Sequence, residues 1–266
     1  MMTKVKSWRL ASVATALAAM LLLAGCGTSK GSTSAAKPQT AAAKTKADKT
    51  QAKQDATTLL NYMYQGRASG LSEVTNEDSQ DTKTYLMQHY IDKQTDFFKG
   101  NGNMDDFYLV LDGSNYYAND IIKDFAKAYV EQTQNIGHYQ ITKLKTSGNN
   151  AEVTASFTPI AALSEAHPIG EARTSAFGGL DNDTLIRESQ NKDVKSIQRL
   201  ITLKLYSVYY GDMAKTAEKA PEKTSVTFSM TKKGSHYMVD HDTLDMIEQH
   251  GRVDKYAASD SSSSAE

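Results

Sequence analysis

The stretch HYQITKLKT-SGNN-AEVTASFTP, residues 138–159, limits the fold of this 266-residue chain more than any other. Tyr139 and Ile141 alternate with polar residues in its first half, and Ala151, Val153, Ala155 and Phe157 in its second. A period of two puts each apolar set on one side of a pleated strand. The Gly-Asn turn between them makes the pair a hairpin. SVTFSM, a TKKGS turn and HYMVD, residues 225–240, repeat the arrangement with Val226, Phe228 and Met230 on one face. An isolated hairpin is marginal in water. Joined edge to edge, the two predict a four-stranded antiparallel sheet with helices packed on one face, an α+β architecture.

The remaining periodic segments supply those helices. From about Asp48, Ala56, Leu59, Leu60, Met63 and Tyr64 follow a 3.6 period that Gly66 ends. A second helix is predicted over Asp81 to Lys99, and a third from about Tyr116 to Asn135, with Ile121, Ile122, Phe125 and Tyr129 inward. After a loop containing Pro159, Pro168, Gly170, Gly178 and Gly179, one long helix is expected to begin near Asp181 to Asp183. Its apolar stripe would be Val194, Ile197, Ile201, Leu205 and Val208. A short helix over Thr243 to Gln249 closes the order.

YQITKLKTSGNNAEVTASFTPI followed by TSVTFSMTKKGSHYMVD resembles an uncharacterised family of lipoproteins of low-GC Gram-positive bacteria. There a similar hairpin ends in a Thr-Pro-Ile-like corner, a helical insert follows, and a final hairpin has the form Lys-x-Gly-x-Trp-x-Val-Asp. The resemblance covers about Ala56 to Asp240 and implies a cystatin-like or nuclear-transport-factor-like fold. It brings no activity and no catalytic residues. This chain has His236 and Tyr237 around the position of the usual tryptophan.

The first 25 residues read as a leader. Lys4, Lys6 and Arg9 precede an apolar run from Leu10 to Leu23, and Leu23, Ala24 and Gly25 stand before Cys26, the only cysteine. The order of charge, apolar run and small residues is that of a secretory signal. The run is short for a span, which needs about 20 apolar residues. Leu23-Ala24-Gly25-Cys26 resembles the lipobox of bacterial lipoproteins, which implies cleavage before Cys26 and a diacylglycerol on its sulfur. A lone cysteine has no internal disulfide partner, and two or three acyl chains anchor stably where one is marginal. The expected location is the extracellular face of the cell membrane. AAMLLLAG, Ala18 to Gly25, is also the kind of fragment from which a peptide pheromone could arise.

Residues 26–47 are Ser, Thr, Ala and Lys with no large apolar side chain. They are expected to be a flexible tether spanning roughly 25 Å. Lys30, Lys37, Lys44 and Lys46 could draw it to anionic lipid or wall polymers. The domain is expected over residues 48–256, with a disordered tail at 257–266. Formal net charge is −1; residues 1–25 carry Lys4, Lys6 and Arg9 and no acid, so the chain from Cys26 stands at −4. Nothing there calls for nucleic acid as a partner.

Motifs for chemistry are sparse. No histidine pair has the spacing of a zinc helix, so no metal or cofactor is expected. HDTLDMIEQH gathers His241, Asp242, Asp245, Glu248 and His250, with Asp245 and Glu248 one turn apart, and reads as a solvated terminal helix outside the core. Asp181 and Asp183 in GGLDNDT resemble part of a calcium loop but lack its distal glutamate, and capping explains them. Tyrosine is abundant, at 14. Tyr206, Tyr209 and Tyr210 suit sugar or peptide contacts, and equally the rim of a helix-sheet core. The expectation is a binding module without catalytic residues; the alternative is a wall-modifying or hydrolytic enzyme built from scattered acids and histidines.

Overall fold

In a computed structural model, the structure describes residues 41–163, 168–189, 193–214, 216 and 218–253. Eight helices and six strands follow in chain order among them. Helices α1 (Ala41–Gln65), α2 (Leu71–Thr75) and α3 (Ser79–Lys99) come first. Strands β1 (Tyr108–Leu111) and β2 (Ser114–Tyr117) lead into α4 (Ala118–Gln132). Then come β3 (Tyr139–Ser147), β4 (Asn150–Phe157), α5 (Ile169–Phe177), α6 (Asn182–Glu188) and α7 (Val194–Ser207). Strands β5 (Thr224–Lys233) and β6 (His236–Met238) precede α8 (His241–His250).

The fold is α+β. The main sheet is antiparallel in the order β3-β4-β5-β6, so the two expected hairpins do share an edge, that between β4 and β5. Their register places Ala151 opposite Met230, Val153 opposite Phe228 and Ala155 opposite Val226. All six are buried, and they form the core face together with Phe157. The other face carries Glu152, Thr154 and Ser156 from β4 and Ser225, Thr227 and Ser229 from β5. An antiparallel sheet with one packed and one polar face produces this alternation. Helices α1 and α8 cover the core face: the Tyr64 ring of α1 packs tilted against Phe157 at 4.4 Å, and its hydroxyl donates a hydrogen bond to the Ile247 carbonyl of α8 at 3.1 Å. Strand β3 is an edge strand with a bulge between Ile141 and Lys143, the kind of interruption that blunts an edge. Helices α3, α4 and α7 build a second apolar region around Phe98, Phe125, Tyr129 and Leu203.

Several expectations are corrected. Residues 41–47, assigned above to the tether, are the first two turns of α1; alanine and lysine are good helix formers. Tyr116 and Tyr117 do not open the third helix but lie in β2, whose hairpin with β1 was not foreseen. The loop of that hairpin is Asp112-Gly113, with φ of 50° and 73°, the left-handed pair that a two-residue turn requires. The region read as a loop contains α5, ended by Gly178 in the left-handed region. The long helix is two: α6 is capped by Asp181, whose carboxylate accepts from Thr184 N at 2.7 Å, and α7 by Asp193, accepting from Lys195 N at 3.2 Å. The leader, Cys26 and the tail 257–266 lie outside the described residues.

Candidate functional site

The acids and histidines of the last helix are not a shared site. Helix α8 starts on the Asp240 carboxylate, which accepts from Thr243 N at 2.9 Å. Of its residues, His241 and Asp245 meet at Tyr85, while Glu248 and His250 face other partners. Asp245 accepts the Tyr85 hydroxyl proton at 2.8 Å, and burial together with this carboxylate pushes Tyr85 up to about 12. His241 stacks on the Tyr85 ring at 3.7 Å and pairs with Glu77 at 2.7 Å. His250 Nδ1 meets the Met246 carbonyl at 2.8 Å on the exposed side.

Glu248 corrects the picture of a helix outside the core. It is 1% exposed, against 5% for Arg252. One Arg252 nitrogen bonds a Glu248 oxygen, and the other Glu248 oxygen accepts the Tyr90 hydroxyl. Arg252 also donates to the Tyr129 carbonyl and to Tyr90 Oη. Burial pushes the Glu248 carboxyl up, and Arg252 and Tyr90 pull it back. Backbone bonds between Ile160 and both Gly251 and Val253 hold the chain in position for Arg252 to turn inward. Arg252 lies two residues past the end of α8, so this bridge to Ile160, not helical periodicity, aims its side chain at Glu248.

Tyr206, Tyr209 and Tyr210 are brought together, as core. Tyr209 and Tyr210 are buried, and Tyr206 is partly buried against them. Tyr210 packs edge-on to Tyr129 at 5.3 Å, which ties this cluster to Arg252. Asp181 acts as a cap, and Asp183 lies in the first turn of α6.

Sequence reasoning missed two features. The first is the pairing of His236 with Asp55 at 3.0 Å. Buried Asp55 also accepts from Tyr237 N at 2.7 Å and from Gln51 at 2.9 Å. A carboxylate orienting a histidine is two thirds of a triad. Here, however, the second ring nitrogen faces Glu73 at 3.8 Å instead of a hydroxyl. The hydrogen bond with Asp55 raises the His236 pKa.

The second is a basic groove between α1 and β3. Its volume is about 370 Å³, and Lys46, Lys49, Lys53 and Lys143 line it with Thr50, Thr142, Ile141 and Leu144. At 100° per residue the three α1 lysines fall on one stripe, and they are exposed. A second hollow of about 480 Å³ at the same end of α1 includes Lys44, Asp48 and Lys232. There Lys232 is paired with Asp48, whereas Lys46, Lys49 and Lys53 make no ion pair with a described residue. Sequence reasoning had credited Lys46 to a flexible tether, with Lys30, Lys37 and Lys44, and did not join it to Lys49 and Lys53 on one helical stripe.

No family model matches the chain, and no curated protein does. Among solved structures, a Bacillus subtilis protein, ycdA, provisionally assigned as a lipoprotein, is similar with 12% identity and a TM-score of 0.46, over 81% of this chain and 60% of that one. The chain thus spans about three fifths of the length of that neighbour. No helix among the described residues is long and apolar enough to cross a membrane.

Proposed function

We propose that this chain is an extracytoplasmic lipoprotein. Acyl chains on Cys26 would hold it to the outer face of the cell membrane, and its α+β domain would bind a partner without catalysing a reaction. The observation that carries this reading is Leu23-Ala24-Gly25-Cys26, set after a basic segment and an apolar run, at the only thiol of the chain. Thiol acylation needs a nucleophilic sulfur with small neighbours, and Ala24 and Gly25 meet that need. The reading also takes the chain as a relative of the Gram-positive lipoproteins it resembles. The binding role is supported by the engagement of its acids in structure: Asp181 and Asp240 cap helices, Glu248 neutralises Arg252, and Asp55 holds the β6 backbone. Metabolic labelling with a tagged fatty acid tests the anchor. The native chain should take up label, and Cys26→Ala should remain an unlabelled precursor. Label surviving the substitution would reject the anchor.

A further inference from the structure

We propose that the groove of Lys46, Lys49, Lys53 and Lys143 is a docking surface for anionic phospholipid headgroups, so that the domain sits on the membrane by its α1–β3 edge. It rests on the anchoring reading for geometry. Charge complementarity is the first support. Three exposed lysines on one stripe of α1 have no described acidic partner, and Lys143 faces them from β3, half exposed and bonded on one side to Glu152 at 3.1 Å. Thr50 and Thr142 add hydroxyls beside them. The rest of the chain from Cys26 is net acidic, so this surface is a local reversal of sign. A phosphodiester headgroup layer offers the matching charge, and attraction is felt within a Debye length of the surface.

The position of the chain supplies the second support. Between Cys26 and Ala41 lie fourteen residues, Gly27 to Thr40, which at full extension reach about 50 Å. The start of α1 therefore stays within about 50 Å of an acylated Cys26. Lys46, Lys49 and Lys53 follow Ala41 by roughly 8, 12 and 18 Å along the helix. Such a tether raises the effective concentration of a weak second contact. Lysines at any other place on the domain would gain less from it. A soluble wall polymer has the same charge, but it lacks this fixed proximity.

Vesicle co-sedimentation of the chain from residue 26 onward, carrying Cys26→Ser so that no lipid assists, tests the inference. Vesicles containing phosphatidylglycerol should retain the protein, pure phosphatidylcholine vesicles should not, and high salt should release it. Lys46→Gln, Lys49→Gln, Lys53→Gln and Lys143→Gln together should weaken binding by at least about thirtyfold, since one lysine near such a surface is worth about fivefold. The double variant Lys46→Gln, Lys49→Gln should weaken it by at least about tenfold, which keeps the test valid should the quadruple variant not fold. Undiminished binding by folded variants, or equal retention on phosphatidylcholine, overturns the inference. Binding of soluble poly(glycerol phosphate) with no vesicle retention also overturns it and makes a polymer the ligand. Lost vesicle binding with Cys26 labelling intact rejects this inference alone; lost labelling with vesicle binding intact rejects the anchor alone.

Discussion

The Arg252 guanidinium carbon lies 3.5 Å from the centre of the Tyr129 ring, and the same group is bonded to Glu248. A buried cation is thus held by an aromatic face and a carboxylate at once, inside the apolar layer where α3, α4 and α8 meet. Removing one partner of such a pair leaves an uncompensated charge, at a cost of about 3–5 kcal/mol.

Glu248→Ala should therefore lower the melting temperature severely or prevent folding. His250→Ala, at an exposed position of the same helix, should shift it little. Reversible thermal unfolding of the purified domain checks both. Because a hydrophobic replacement of an entire buried pair is often neutral, Glu248→Leu with Arg252→Met should recover most of the loss. A Glu248→Ala protein that melts like its parent would mean that the charge pair is open to water.

A pH dependence follows from His236. Asp55 holds its proton, with desolvation opposing and Glu73 assisting, so its folded pKa is above the ordinary 6.5. A group whose pKa is raised by folding stabilises fully below the unfolded value and loses that contribution as pH rises through the folded value. The melting temperature should fall as pH rises above about 6.5, and His236→Gln should flatten that fall. An unchanged slope in the variant would place the titration elsewhere.

The two faces of the sheet should respond oppositely to one charge. Val153 is buried opposite Phe228, so Val153→Asp buries an unpaired carboxylate and should cost several kcal/mol. Thr227 lies on the polar face, and Thr227→Asp should stay within about 0.5 kcal/mol. Urea unfolding of both variants measures the difference.

The hairpins were legible because period two and a glycine turn are local signals. Gly148 and Gly234, with φ of 58° and 64°, occupy the loops that SGNN and TKKGS announced. The Asp112-Gly113 hairpin was as visible in VLDGSNYY, but its second strand runs straight into α4, so the tyrosines were credited to the helix. The split of the long helix was harder to see, because apolar periodicity passes over the break and only the Asp181 and Asp193 caps mark two starts. Glu248 and Arg252 were misplaced for a different reason. Charged residues read as solvent-facing, and their burial depends on Tyr90 and Tyr129, which stand far away in sequence. The groove lysines lie on elements about 90 residues apart, so their convergence is a product of the α1–β3 packing and not of any local pattern.

Gly251 separates two kinds of glycine requirement. Its φ of −64° is open to any residue, so backbone freedom is not the reason for a glycine there. A methyl at this position would lie 2.6 Å from Thr133 Cγ2 and 3.0 Å from the Glu248 carbonyl oxygen. The close approach lets the chain leave α8 and turn Arg252 into the core. Gly251→Ala should thus act by overpacking, at about 1–3 kcal/mol, and should disturb the Arg252–Glu248 pair as well. Gly148 is the contrast: nothing lies within 4 Å of a methyl there, but φ is positive. Gly148→Ala should cost about 1–2 kcal/mol by conformation alone. Thr133→Ser removes the methyl that Gly251→Ala would strike. The double variant should therefore regain part of the lost stability, while Thr133→Ser should do nothing for Gly148→Ala. Melting temperatures of the five proteins, parent included, decide between steric and conformational causes, and absence of any recovery in the Gly251 pair would place the strain on the Glu248 carbonyl instead.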